Sequence, residues 1–140
     1  MSLKITKVTL PDRQGNWHVA IANGYITEIS AAPILKATAE TLDAQGKLLI
    51  PGLVDPHIHL DKALLLDRYP AVEGTFSEAL QKTLQAKQEY TQSDIQSRAR
   101  RVIEKAIAFG TTSMRTHVEV DPIVQLKSMA ALLPLKAEYA

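Results

Sequence analysis

The sequence predicts an α/β protein in which a small β-rich segment precedes parallel strands alternating with helices. Three observations carry that expectation. Residues 3–29 alternate apolar and polar side chains around turn-forming residues, residues 47–60 and 111–120 read as buried strands, and residues 76–84 and 95–107 space apolar side chains three and four apart. Strands alternating with helices imply parallel pairing through right-handed crossovers.

The elements follow in order. Leu3 to Leu10 is β-branched and apolar in rough alternation and is closed off by the turn-forming residues 11–16. Trp17, Val19 and Ile21 alternate with His18, Ala20 and Ala22; Asn23-Gly24 then supplies the two positive-φ residues of a tight hairpin, and Tyr25 to Ile29 returns. His18 falls on the opposite face from Trp17 and Val19, as a surface or edge residue. Residues 30–42 read as a loop leading into a short strand near Thr41 to Asp43.

From Lys47 to Leu60 the apolar run Leu48, Leu49, Ile50, Leu53, Val54, Ile58 and Leu60 predicts a strand buried on both faces, since Gly52 and two prolines oppose a helix. Phe76, Leu80 and Leu84 mark a narrow helical stripe. Ile95, Ala99, Val102, Ile103, Ala106 and Ile107 mark a broader one, opened by a capping box at Ser93-Asp94-Ile95-Gln96 and stopped at Gly110. That helix should lay Ile95, Val102, Ile103 and Ala106 on the two barrel-type strands. Pro122 ends the second of these strands, and residues 123–137 read as a helix interrupted by Pro134. Two domains are expected, residues 1–50 and residues 51–140.

Composition limits the function classes. With 140 residues, 46% hydrophobic and 22% charged, the chain is long enough to bury a core. The net charge of +1 and the scattered basic residues give no nucleic-acid footprint, and Arg98 to Arg101 reads as the solvated face of a helix. The absence of cysteine excludes a disulfide framework, a thiolate nucleophile and any cysteine-containing zinc site. No signal peptide opens the sequence and nowhere do eighteen apolar residues run together, so no membrane partner and a cytoplasmic location are expected.

The chemistry concentrates at Asp55-Pro56-His57-Ile58-His59. Successive strand side chains point to opposite faces, so Asp55, His57 and His59 share one face and Val54, Pro56, Ile58 and Leu60 the other. Two imidazoles side by side can bind one metal, zinc or ferrous iron, with further ligands supplied from elsewhere. The alternative is a polar strand end, which the buried surroundings disfavour because α/β barrels build their sites at the C-terminal ends of parallel strands. Arg115, His117 and Glu119 alternate with Met114, Thr116 and Val118, which sets the polar trio toward a barrel interior. Arg115 and His117 read there as an interior hydrogen-bonded network in preference to substrate contacts. Asp55 is open between orienting a ligand and capping a loop, and Asp61 and Lys62 read as loop-ordering residues and not as catalysts.

Residues 50–62, I-P-G-L-V-D-P-H-I-H-L-D-K, resemble the first barrel strand of the metal-dependent amidohydrolase superfamily. The preceding N-G-Y-I-T-E-I and L-D-A-Q-G-K-L resemble its N-terminal β-sandwich, and the H-L-D-K ending with the later T-S-M-R-T-H-V-E-V-D-P resembles the cytosine deaminase-like branch. The resemblance implies a (β/α)8 TIM barrel preceded by strands of a small β-sandwich. It implies also a divalent metal, zinc or iron, that activates water against a C=N or amide carbon, with His57 and His59 as its first two ligands. The substrate so implied is a small cyclic amide or amidine.

A TIM barrel takes about 250 residues, and only the first two βα units are legible in this sequence. The family's further ligands, a histidine on the fifth strand and an aspartate on the eighth, and its general acid/base glutamate have no counterpart position here. The chain is therefore expected to be the N-terminal part of an amidohydrolase with an incomplete barrel, either a truncated product or one piece of a protein completed on another chain. No catalytic residue is assigned to it. Weak metal binding and self-association through exposed strand edges are expected, and the competing reading is a non-catalytic remnant or interaction module.

Overall fold

The alternating residues of the first segment fold as a four-stranded sheet in the computed structural model, which describes residues 2–35 and 40–140. The chain divides into two units, Met1–Pro51 and Gly52–Ala140. In the first, β1 (Ser2–Leu10), β2 (Arg13–Ala22), β3 (Tyr25–Ser30) and β4 (Glu40–Asp43) lie in the order β3-β2-β1-β4, with β4 parallel to β1. The hairpin forms where expected: Ala22 pairs with Tyr25, and Asn23 and Gly24 carry φ of 53° and 81°. The expected loop through residues 30–42 lies partly outside the described residues, and β4 begins at Glu40.

A bulge explains how β1 buries both Ile5 and Val8, which are three residues apart. The register slips between them, and Lys7 takes a φ of 53°, so the apolar phase shifts by one and Val8 joins Ile5 and Val19 in the core. His18 is half-buried, and its Nδ1 is buried without a partner.

In the second unit β5 (Leu53–Ile58) pairs in parallel with β6 (Thr111–Thr116). Between them run a 3-10 turn (Leu60–Lys62), α1 (Phe76–Gln88) and α2 (Gln92–Ala108), and α3 (Lys127–Glu138) follows β6. Gly52 is required by close packing: a Cβ there would overlap the side chain of Thr112. The core joins the apolar stripe of α2, Ile95 and Ala99, to Leu60, Tyr90, Val124 and Leu135, with Ile58, Val102, Ile103 and Met114 packed alongside. Of the expected stripe, Ile95, Val102 and Ile103 thus share a cluster with Ile58 of β5 and Met114 of β6, whereas Ala106 lies outside it and Leu53 and Val54 of β5 stay exposed. Gly110, with φ of 90°, follows the end of α2 as the sequence indicated.

Four expectations are corrected. The strand expected across residues 47–60 spans only Leu53–Ile58, and Leu48, Ile50, Leu53 and Val54 remain half exposed or more. Leu48 instead bridges Thr9 of the first unit's sheet, and a two-stranded sheet leaves both β5 and β6 with an open edge. The stripe of α1 is also uncovered, with Phe76 86% exposed; only Ala86 and Lys87 of that helix are buried. The cap of α2 is Thr91, whose hydroxyl accepts from the Asp94 N–H, because the helix starts one residue before Ser93.

Finally, α3 runs through Pro134 without stopping. Proline leaves the carbonyl four residues back without its helical donor, and here the Gln92 side chain donates to that Ala130 carbonyl at 3.1 Å. Gln96, expected in a capping box, donates to the Ala131 carbonyl at 3.4 Å.

These contacts separate the two helical stripes energetically. Ile95→Ala, at a site with no exposure, should destabilise by about 2–5 kcal/mol, whereas Phe76→Ser should stay within about 0.5 kcal/mol. Urea unfolding of the two variants checks this.

Candidate metal centre

The geometry of β5 begins with its irregularity. Asp55 pairs with Met114 and Ile58 with Thr116, so Pro56 and His57 together oppose Arg115 alone. A bulge of this kind turns a side chain out of the regular alternation, and proline suits it because it has no ladder hydrogen to lose. Asp55 holds the bulge: its Oδ1 accepts from the His57 N–H at 3.1 Å. Of the two roles open to Asp55, the one seen is a hydrogen bond to the backbone of a candidate ligand.

His59 lies one residue past the strand, yet the two rings meet. The Nε2 atoms of His57 and His59 are 3.4 Å apart. Two nitrogens each 2.0–2.1 Å from one tetrahedral zinc stand about 3.3 Å from each other, so the pair fits two ligands of a single metal. Burial first, and then the charge of Lys62 and the two neighbouring histidines, hold His59 below the usual imidazole range, while Asp61 opposes them. A neutral ring is the form that ligates.

His117 is closer to this pair than its sequence position suggested. Its ring centroid lies 4.1 Å from that of His57 and 5.3 Å from that of His59, and its N–H donates to the Ile58 carbonyl at 2.7 Å. His117 stacks on His57, and among the described residues no group of three or more histidine, aspartate or glutamate side chains is arranged to hold a metal ion. Arg115 is exposed.

The turn that follows the histidines is fixed by buried polar contacts. The Leu60 N–H donates to Thr116 Oγ1 at 3.1 Å, and Asp61, only 1% exposed, accepts from the Glu119 N–H through Oδ2 at 2.8 Å. Arg98 donates from Nη1 to the carbonyls of Asp61 and Ala63 at 3.0 and 2.6 Å and pairs with Asp94, while its guanidinium lies over the Tyr90 ring. Burial would raise the Asp94 carboxyl, but hydrogen bonds from Arg98 and Arg68 outweigh it and hold the group low. Tyr90 is pushed up to about 12 by burial.

A second ionic group adjoins this turn. Lys87 Nζ is 2.7 Å from both Glu119 Oε1 and Asp121 Oδ2, and Lys62 Nζ is 3.3 Å from Glu119 Oε2. Burial works against the Lys87 charge, yet its two carboxylate partners raise it above the usual amine range. Asp121 also caps the following turn, accepting from the N–H groups of Ile123 and Val124 at 2.8 Å each.

Lys87 and Arg98 were missed as site-supporting residues, and Arg98 was expected in solvent. The signal was present in their spacing. Lys87 extends the apolar series Leu80, Leu84, and Arg98 falls between Ile95 and Val102, so each charge sits on its helix's inward stripe. Asp61 and Lys62 order the loop, as their sequence reading held.

The amidohydrolase family profile matches residues 40–135, more than half of the sequence. The chain belongs to the amidohydrolase family. It is 31% identical to the N-isopropylammelide isopropyl amidohydrolase of Pseudomonas sp. (strain ADP), over 97% of this chain and 35% of that protein. The crystal structure of Klebsiella pneumoniae 5-methylcytosine deaminase liganded with 5-fluorocytosine superposes with a TM-score of 0.81 at 36% identity, covering 96% of this chain and 33% of that one. The fold is also that of atrazine chlorohydrolase TrzN from Arthrobacter aurescens TC1 complexed with zinc, with a TM-score of 0.68 at 16% identity, over 96% of this chain and 33% of that one.

This amidohydrolase chain thus spans about a third of the length of the relatives it matches. Its likeness is to the N-terminal portion of a cytosine deaminase-like amidohydrolase, whose fold is a TIM barrel. Among the described residues no helix is long and apolar enough to cross a membrane.

The ionic group yields a pH test. Lys87, with help from the Val124 N–H, lowers the Asp121 carboxyl from its ordinary 3.8 to about 2. A depressed carboxylate contributes stability that is present above its unfolded value and lost as pH falls through the folded one. The melting temperature should therefore drop between about pH 4 and pH 2. Asp121→Asn should flatten that drop while leaving a lower plateau at neutral pH.

Proposed function

We propose that this chain carries the first two metal ligands, His57 and His59, of a hydrolase that cleaves non-peptide carbon–nitrogen bonds in a small cyclic amide or amidine. The observation that carries the reading is the 3.4 Å separation of the two Nε2 atoms at the C-terminal end of a parallel strand. It is supported by the family, whose members are generally metal-dependent, and by the ligands and substrates named for the relatives. A divalent metal, zinc or iron, would supply Lewis-acid activation of water and of the substrate carbon.

The chain's own residues have definite parts in this scheme. His57 and His59 bind. Asp55 holds the backbone bulge that aims His57, and the Asp61, Thr116 and Arg98 contacts fix the turn that carries His59. His117 covers one face of His57. None of these groups is placed as a general acid or base.

A second reading is supported by a different observation. The open edge of β6 borders a groove of about 530 Å³, lined by residues 111–116 together with Ile103 and Ala106 of α2 and Leu132 and Leu135 of α3. An unpaired parallel strand beside apolar helix faces is a template for another strand. On this reading the chain is a non-catalytic interaction module that associates through that edge, first of all with a second copy of itself.

The two readings separate in one set of measurements on the purified chain. The hydrolase reading expects weak, substoichiometric zinc or iron that His57→Ala removes, and no ammonia release from cytosine or related ring amides by this chain alone, because zinc sites normally use three or more protein ligands. Near-stoichiometric metal with turnover abolished by His57→Ala would show a complete site and overturn the incomplete-barrel reading. Metal binding indifferent to His57 and His59 would sink the hydrolase reading itself. Sedimentation should show self-association, which Ser113→Pro in the middle of β6 weakens if the edge mediates it.

A further inference from the structure

Asn23 and Gly24 make the turn between β2 and β3, and their chemistry goes beyond its shape. An asparagine side chain can close a ring on the next backbone nitrogen, which is least hindered when that residue has no Cβ. Three observations leave the reaction open in this fold. Among the described residues the Gly24 N–H makes no hydrogen bond, and neither does the Asn23 side chain. Both turn residues are exposed, and a Cβ built at Gly24 meets nothing within 4 Å. β3 is an edge strand paired only with β2, with Tyr25 76% and Ile26 60% exposed. A turn of similar shape differs: Gln45 and Gly46 have φ of 54° and 80°, but the Gly46 N–H donates to the Lys7 carbonyl at 2.7 Å. That nitrogen is held, and a glutamine would have to close a larger ring.

We infer that Asn23 is a site of spontaneous modification, at which the chain converts its own side-chain amide to an acid. The Gly24 backbone nitrogen attacks Asn23 Cγ. The N–Cγ bond forms, the Cγ–Nδ2 bond breaks, and ammonia leaves with the proton displaced from the Gly24 nitrogen. Water then opens the five-membered imide at either carbonyl, giving an aspartyl or an isoaspartyl linkage. Closing the ring turns Asn23 out of its left-handed turn conformation, so the reaction waits on local opening of the hairpin. That opening releases an exposed edge strand and nothing else, which puts it at the low-cost end of local unfolding.

The two products act differently on the fold. Aspartate before glycine suits the same two-residue turn, so the aspartyl product keeps the hairpin. The isoaspartyl product routes the main chain through the former side chain and adds a methylene between Ala22 and Tyr25, which pair directly across the turn. A two-residue turn has no slack for it. β3 then loses register, and with it the pairs of Ile26 with Ile21 and of Ile29 with the fully buried Val19.

The test is a time course of the full chain at mildly alkaline pH, read by peptide mapping with mass spectrometry. Asn16, the other asparagine, precedes the bulky Trp17 and serves as internal control. Asn23 should convert at least about tenfold faster than Asn16, and within about tenfold of its rate in the urea-unfolded chain. Asn23→Gly, which allows a Gly-Gly turn, should keep the fold and abolish the acidic species. The isoaspartyl fraction, separated by chromatography, should melt below Asn23→Asp. A native chain that stays intact at Asn23 while the unfolded chain converts overturns the inference, because the hairpin then prevents ring closure. Equal conversion at Asn16 and Asn23 does so too, as does an acidic species that persists in Asn23→Gly. An isoaspartyl fraction as stable as Asn23→Asp overturns the effect on register.

Discussion

The buried carboxylate of Asp61 is the contact on which the local architecture turns. The Glu119 N–H donates to it and is so tied to the segment that leaves β5, while Arg98 draws the same segment's carbonyls onto α2. Three elements thereby meet at one residue. A buried charge is stabilising only when its surroundings supply hydrogen bonds of good geometry, so the turn, the exit of β6 and the inner face of α2 are each constrained to one arrangement. The histidines inherit that order because they occupy the residues immediately before it.

A parallel pair of strands with both outer edges open is an uncommon end state, and it accounts for several features together. Leu53 and Val54 stay exposed because the sheet ends on either side of them, and the α1 stripe at Phe76, Leu80 and Leu84 is left largely to half exposed. Parallel strands are ordinarily covered on both faces. The hydrophobic pattern of this chain thus prescribes more contacts than its described residues satisfy, which agrees with its spanning about a third of its relatives.

Much of this was legible in the residues themselves. The Asn23-Gly24 hairpin and the stop of α2 at Gly110 each follow from a local rule with one solution. What was not legible depends on distant partners. The alternation argument put His57 and His59 on one regular strand, but the second sits past the strand end and the first on a bulge, an outcome decided by pairing with β6. The approach of His117 to His57 required the register of the same pair. Lys87 and Arg98 carried their signal openly as charges on apolar stripes, but the carboxylate partners that make their burial tolerable are 34 and 4 residues away, and only the fold shows which are reached. Burial read from hydrophobicity alone failed for the 47–60 run, because hydrophobicity states what a segment prefers and not what is there to cover it.

The proline in α3 has a consequence for alignment. Two helices meeting through aliphatic side chains can slip along one another at little cost, since one methyl group replaces another in each groove. The Ala130 carbonyl, stripped of its helical donor by Pro134, breaks that degeneracy: it faces α2 at the one place where Gln92 can reach it. A slip of one turn, about 5.4 Å, would exchange this hydrogen bond for one to water and misplace the amide. A residue usually counted as a defect thus acts as a notch, and the glutamine as its key, fixing where along its length α3 rests on α2.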